Sequence, residues 1–219
     1  MALTKFNFNS FDLTTAANKG IAFNSSANGF ETAAEGSLTL IKTLTASSSS
    51  TLSFVDGSSS VVLDNTYPVY LFKFINCHPA TNSALLRFTA STDGGSNYGV
   101  TKTSTGVNAY NAESFAQAAI GYNTGIDLAQ STTPQNLSTN VSNASDGSTS
   151  GVFYLFNPSS TTFVKHFIVR SSLNNGSYAQ DEYFAGYLNT TSAIDAIQFK
   201  FSSGNIDAGT IKLYGIKDS

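Results

Sequence analysis

The sequence predicts an all-β chain folded as an antiparallel two-sheet β-sandwich, and three observations carry that reading. Near the C-terminus Ile197, Phe199 and Phe201 alternate with Gln198 and Lys200, and Ile211 and Leu213 alternate with Thr210, Lys212 and Tyr214. A period of two marks half-buried strands, and the turn chemistry of residues 202–209 between them reads as a closing β-hairpin with one apolar face. Short runs of β-branched and aromatic residues recur along the chain, about ten in all, at the spacing of a sandwich. Neither heptads nor an internal repeat interrupt this pattern.

Residues 1–36 stand apart as an extended N-terminal arm. Phe6, Phe8 and Phe11 are interleaved with Asn7, Asn9 and Ser10, without the sustained periodicity of a strand. Large apolar side chains in so polar a segment need a surface to cover them. Two destinations stay open: the arm adds a strand to its own domain, or it docks on a neighbouring subunit, which makes Phe6, Phe8 and Phe11 attachment residues.

Residues 37–219 form the sandwich domain. Leu38, Leu40 and Lys42 alternate with Thr39, Ile41 and Thr43, and the serines at 47–50 make a loop. Residues 52–54 and 61–63 read as short strands around the Asp56-Gly57 turn. Pro68 opens the nearly continuous apolar run 69–75, the pattern of a strand buried on both faces. A strand over 84–90 ends in the Ser-Thr-Asp-Gly-Gly-Ser turn at 91–96. Residues 101–150 are dominated by Gly, Asn, Ser and Thr and read as an irregular insert, with a helical or strand patch at 112–122. Long inserts of this kind characteristically serve function or motion. Strands resume at 152–156, 162–170 and 182–188 before the closing pair. Leu86, Phe88, Phe156, Phe199, Phe201 and Leu213 are the expected core.

Composition bounds the function. At 219 residues the chain buries about 70% of its unfolded surface, enough for one core. Charged residues make up 11%, against about 25% in ordinary soluble domains. Ser, Thr and Asn supply the polarity instead, at about a third of the residues. Surfaces depleted in Lys and Glu are a property of interface cores, so assembly is expected. The net charge of −3, with 11 Lys plus Arg scattered singly, argues against nucleic-acid binding. No apolar run is long enough for a membrane helix, and Met1 to Phe8 lack the apolar stretch of a secretory signal. A single cysteine, Cys77, excludes an internal disulfide framework and fits synthesis in a reducing cytoplasm.

No motif carries catalysis, a cofactor or a metal. His78 follows Cys77 without further ligands at zinc spacing. His166 shares a strand face with Val164 and Ile168, and Gly147-Ser-Thr-Ser-Gly151 centres on Thr149 rather than a nucleophilic serine. Asp181 and Glu182 are adjacent and point to opposite faces of a strand, unlike the facing carboxylates of a glycosidase. The Asp93 and Asp56 loops lack the carboxylate density of a calcium site and read as turns. Tyr98, Tyr110 and Tyr122, in or beside the insert, are candidates for glycan contact, since sugars stack on exposed rings; core or rim positions are the alternative.

With these residues in place, the chain resembles a group of tailed-bacteriophage virion structural proteins. The matching features are Leu40-Ile-Lys-Thr-Leu-Thr-Ala-Ser-Ser-Ser, Tyr70-Leu-Phe-Lys-Phe-Ile-Asn and Leu86-Arg-Phe-Thr-Ala-Ser-Thr-Asp-Gly-Gly-Ser. Leu155-Phe-Asn-Pro-Ser159, Ser202-Ser-Gly-Asn-Ile and Gly209-Thr-Ile-Lys-Leu-Tyr-Gly-Ile216 complete the set, and together they span about residues 38–219. The resemblance implies a jelly-roll-like sandwich on the exterior of a capsid or tail. It implies a homotrimer whose partners are itself and other virion proteins, made in the host cytoplasm and located in the virion. It supplies no catalytic residues. The expected function is therefore non-enzymatic decoration, with a tail-fibre or receptor-binding module contacting host glycans as the alternative.

Overall fold

The computed structural model describes residues 20–24, 26–32 and 36–217. Among the described residues there are fifteen strands and no helix. Phe6, Phe8 and Phe11 lie outside the described residues. At the N-terminal end β1 (Ile21–Phe23) and β2 (Phe30–Thr32) pair antiparallel as a small sheet of their own. Phe23 and Phe30 stack there at 5.0 Å between ring centroids, and Phe23 is 69% exposed.

The remaining strands build two sheets. In chain order they are β3 (Leu38–Thr45), β4 (Leu52–Val55), β5 (Val69–Pro79), β6 (Ala84–Ser91), β7 (Lys102–Ala112) and β8 (Ala118–Tyr122). There follow β9 (Leu128–Ser131), β10 (Gln135–Val141), β11 (Thr149–Phe156), β12 (Lys165–Asn174), β13 (Tyr178–Leu188), β14 (Ala196–Phe201) and β15 (Ile206–Ile216). The small sheet runs β10-β6-β14-β4 and the large one β3-β15-β5-β11-β12-β13-β7-β8, with β9 also on β7. Every pairing is antiparallel.

The two sheets face each other across an aromatic core. Phe54, Phe88 and Phe199 of the small sheet meet Phe72, Phe153 and Phe167 of the large one, with centroids 4.5 Å apart for Phe88–Phe153 and 5.4 Å for Phe72–Phe199. Rings at these separations adopt stacked and edge-on geometries that add to their burial energy of roughly 1.5–3 kcal/mol each. Leu86, Phe88, Phe199, Phe201 and Leu213 are buried as expected. Phe156 is not in the core: it lies half-buried on the outer face beside Tyr154. The run Val152-Phe-Tyr-Leu-Phe156 is apolar throughout, so its inward phase was ambiguous from composition.

Three other expectations are corrected. The closing pair is not a hairpin, because β14 joins β6 and β4 while β15 joins β5 and β3. Their apolar faces oppose each other across the core instead of sharing one sheet, and residues 202–205 turn the corner between sheets. Residues 61–63 form no strand, although Val61 and Leu63 are buried. Residues 101–150 are not irregular: they carry β7, β8, β9 and β10. The period of two is present in β7, but both of its faces are rich in small polar residues, so hydrophobicity alone does not display it.

Candidate functional site

Where β10 crosses the large sheet, hydrogen bonds replace the aromatic core. Ser138 and Thr149 hydroxyls meet at 2.5 Å, and Ser171 Oγ donates to Leu137 O at 2.6 Å. Beside them lies Glu182, fully buried on the inner face of β13. Its carboxylate accepts from Thr139 N at 2.9 Å, from the Thr139 hydroxyl, and from Gln180 Nε2 at 2.6 Å. Burial pushes its pKa up to about 7 from 4.5, a rise that the hydrogen bonds from Thr139 and Gln180 oppose and the neighbouring Asp181 charge augments. Asp181 points the other way and forms a bidentate pair with Arg170 at 3.0 and 3.2 Å, as the alternation of β13 requires.

Beyond this seam the large sheet overhangs the small one. The inner faces of β13 and β7 continue past the β10 edge with Tyr178, Gln180, Tyr110 and Asn108, and line a cleft of about 280 Å³. Tyr110 and Tyr178 stand edge to face at 5.6 Å. Thr139 and Asn140 close the side formed by β10, and Gln117, Asn123 and Asn175 close the loop side. All the lining side chains are uncharged.

Most of these amides retain hydrogen-bonding capacity. Asn175 spends its oxygen on the backbone amides of Ser177 and Tyr178, and Asn123 spends its oxygen on Gly125 N. Gln117 Oε1 accepts from Tyr178 Oη at 3.0 Å. The amide nitrogens of all three are left over as donors, and the side chains of Asn108 and Asn140 have no hydrogen-bond partner among the described residues. The Gln180 amide is held from beneath by Glu182 and by Thr139 Oγ1. A surface with this inventory offers both donors and acceptors to a neutral, polar ligand.

The outer face of the large sheet is a second feature. Cross-strand register sets Leu40, Tyr214, Leu71, Tyr154 and Ile168 in one row across five strands. Leu38, Ile216, Val69 and Phe156 form the next row. Leu40 is 51% exposed and Ile168 47%. A flanking row of Lys212, Lys73 and Arg170 borders this apolar band. By contrast, the outer face of the small sheet carries Ser53, Gln198, Lys200, Arg87 and Asn136, joined by bonds such as Arg87 Nε to Asn136 Oδ1 at 2.8 Å.

Of the three tyrosines singled out from the sequence, Tyr110 alone reaches the cleft. Tyr98 lies in the loop after β6, where its carbonyl accepts from Thr89 Oγ1 at 2.7 Å. Tyr122 is on the opposite, outer side of β8 and its hydroxyl donates to Asp127. Tyr178 was missed because the strand was expected to begin at Glu182; extending the alternation backwards from Glu182 through Gln180 would have found it. His78 Nδ1 bonds Gly147 O at 2.6 Å, and His166 packs against Tyr187 on the outer face. Burial pushes the Cys77 thiol up to about 12. Asp93 binds its own loop through Ser91 and Asn97. No cluster of three or more His, Cys, Asp or Glu that could hold a metal occurs among the described residues. Comparison with protein-family models, with curated proteins and with solved structures finds no match.

Proposed function

We propose that this chain is a non-enzymatic structural protein of a tailed-bacteriophage virion, displayed as a homotrimer on the exterior of the capsid or tail. The observation that carries the reading is the apolar band on the outer face of the large sheet. Leu38, Leu40 and Ile168 of these rows are exposed and Val69, Tyr154, Phe156, Tyr214 and Ile216 half-buried around the buried Leu71, and covering this apolar surface with other copies is favourable. The low charge of the whole chain points in the same direction.

The finer fold reading is a jelly roll, and strand order supports it. Taking β3, β4, β5, β6, β10, β11, β14 and β15 as strands one to eight, the sheets read 1-8-3-6 and 5-4-7-2. Strand one pairs with eight, two with seven, three with six and four with five. Rolling up one long hairpin of two four-strand arms produces this arrangement, which viral capsid domains and lectins share. On that reading β7–β9 and β12–β13 are additions that widen one sheet. Attachment is assigned to the N-terminal arm through Phe6, Phe8 and Phe11. The Phe23–Phe30 stack lies in a two-stranded sheet that, among the described residues, is separate from the two sandwich sheets, which supports an arm that takes no strand position in the sandwich.

Mass spectrometry of purified particles tests this reading. Copies in the hundreds fit decoration and a few dozen fit a tail part, while absence of the chain from particles rejects both. Deleting residues 1–32 should leave the sandwich folded and abolish incorporation. A second reading, a receptor-contacting tail module, is favoured by the cleft, to which residues 108–140 contribute most of the lining.

A further inference from the structure

We infer that the cleft between the overhanging inner face of β13–β7 and the edge strand β10 is a binding site for a neutral oligosaccharide. This rests on the receptor-contact reading for its biological setting only; the chemistry of the site stands by itself. Saccharides without acidic groups present two kinds of surface: a patch of ring C–H groups, and rows of hydroxyls that each donate and accept. Tyr110 and Tyr178, set edge to face at 5.6 Å, offer a ring surface for the first. Asn108, Asn140 and the spare amide nitrogens of Asn123 and Asn175 offer the second.

The class is narrowed by what lines the cleft. An anionic glycan, phosphate or sulfate calls for Arg, Lys or a nest of backbone amides, and no basic side chain lines this surface. A cationic ligand calls for a carboxylate in contact, whereas Glu182 sits beneath the floor, already bonded by Thr139 and Gln180. An apolar ligand would leave the amides desolvated and unpaired, which costs more than the burial returns. Neutral polyhydroxyl compounds satisfy all three conditions. The volume of about 280 Å³ suits one or two sugar rings, so a longer chain would lie across the cleft with its ends in solvent.

The site is also prepared before binding. Gln180 is fixed by Glu182 and Thr139, Tyr178 by Gln117, and Asn175 by its own turn, so little side-chain freedom is lost when a ligand enters. Tyr178 and Gln180 lie on β13, an interior strand of the large sheet paired on both sides, and Asn175 in the turn that precedes it.

The test uses the full-length protein on an array of neutral oligosaccharides of glucose, galactose, mannose and N-acetylglucosamine, with sialylated and sulfated counterparts. Hits are measured in solution by titration calorimetry. At least one neutral oligosaccharide should bind, in preference to its acidic counterpart. Tyr110→Ala and Asn108→Asp should each weaken that binding about tenfold, because each leaves ligand groups without a partner. Melting curves identify any variant that fails to fold, and Asn140→Asp, on the edge strand, then replaces it. No binding of any neutral oligosaccharide, preference for an acidic one, or equal binding by all variants would overturn the inference. Competition for adsorption of particles to host cells separates the biological setting from the site. Binding on the array without competition supports the cleft and rejects the receptor reading.

Discussion

Glu182 makes the most direct residue-scale test. Its pKa is raised on folding, so the native state holds a proton over the range from 4.5 to about 7 that the unfolded chain has released. Its contribution to stability is therefore full below 4.5, falls as pH rises towards 7 and is flat above. Glu182→Gln keeps an acceptor for Thr139 N once the Gln180 amide turns over. The melting temperature of the variant relative to wild type should climb between pH 4.5 and 7 and then level; a constant difference would mean that the carboxyl is not shifted. Phe199 lies within 5.4 Å of Phe72 and 6.0 Å of Phe54, centroid to centroid, and Phe199→Ala should cost about 3–5 kcal/mol in denaturant titration. Gly215 has a cause as well as a place in the C-terminal motif. A Cβ there would fall 2.3 Å from the Tyr67 ring, so Gly215→Ala should destabilise by about 1–3 kcal/mol through displacement of that ring. Core phase was legible wherever apolar and polar residues alternated, as at Phe199 and Leu213. It failed at Phe156, where the preceding residues 152–155 are apolar on both faces of the strand.

At the scale of elements, legibility followed the contrast between a strand's two faces. β5, β6, β12 and β15 bury one apolar face or nearly two, β3 packs Ile41 and Leu44 partly against the core, and each was visible in the sequence. β7 and β10 put Ser, Thr, Asn and Gln on buried faces, where side-chain hydrogen bonds take over from apolar packing, so the same period of two carried no hydrophobic signal. The cleft is lined by β7, β10 and the start of β13, and of its lining only Tyr110 was singled out. The hairpin expected at the C-terminus has the right strands and the wrong partners, because local sequence sets strand and turn while pairing is decided by distant β5 and β6. The edge strand β8 gives a prediction at this scale. All five of its residues are exposed, Ile120 by 78%, and its outer edge is unpaired among the described residues. Ile120→Lys should change stability by no more than about 0.5 kcal/mol and should suppress aggregation during concentration, as measured by light scattering. A large loss of stability would mean that β8 is covered in the native assembly.

The whole molecule presents two unlike exteriors, a polar one on the small sheet and an apolar band on the large one. Multimerisation through that band is the central claim, since it joins the low charge, the outward Leu40, Tyr154 and Ile168, and a displayed structural role in one cause. The outward charges of Lys73, Lys212 and Arg170 border the band, so the contact should be buried at its centre and wet along that edge. A charge at Ile168, the β12 end of the longer row, should break it with little effect on the fold, because Ile168 faces away from the core. Sedimentation equilibrium of the wild type and of Ile168→Glu at micromolar concentration is the most direct measurement. The account predicts a wild-type mass three times the 23.1 kDa of the chain, and a folded monomer for the variant. A wild-type monomer, or a trimer that Ile168→Glu leaves intact, would contradict it.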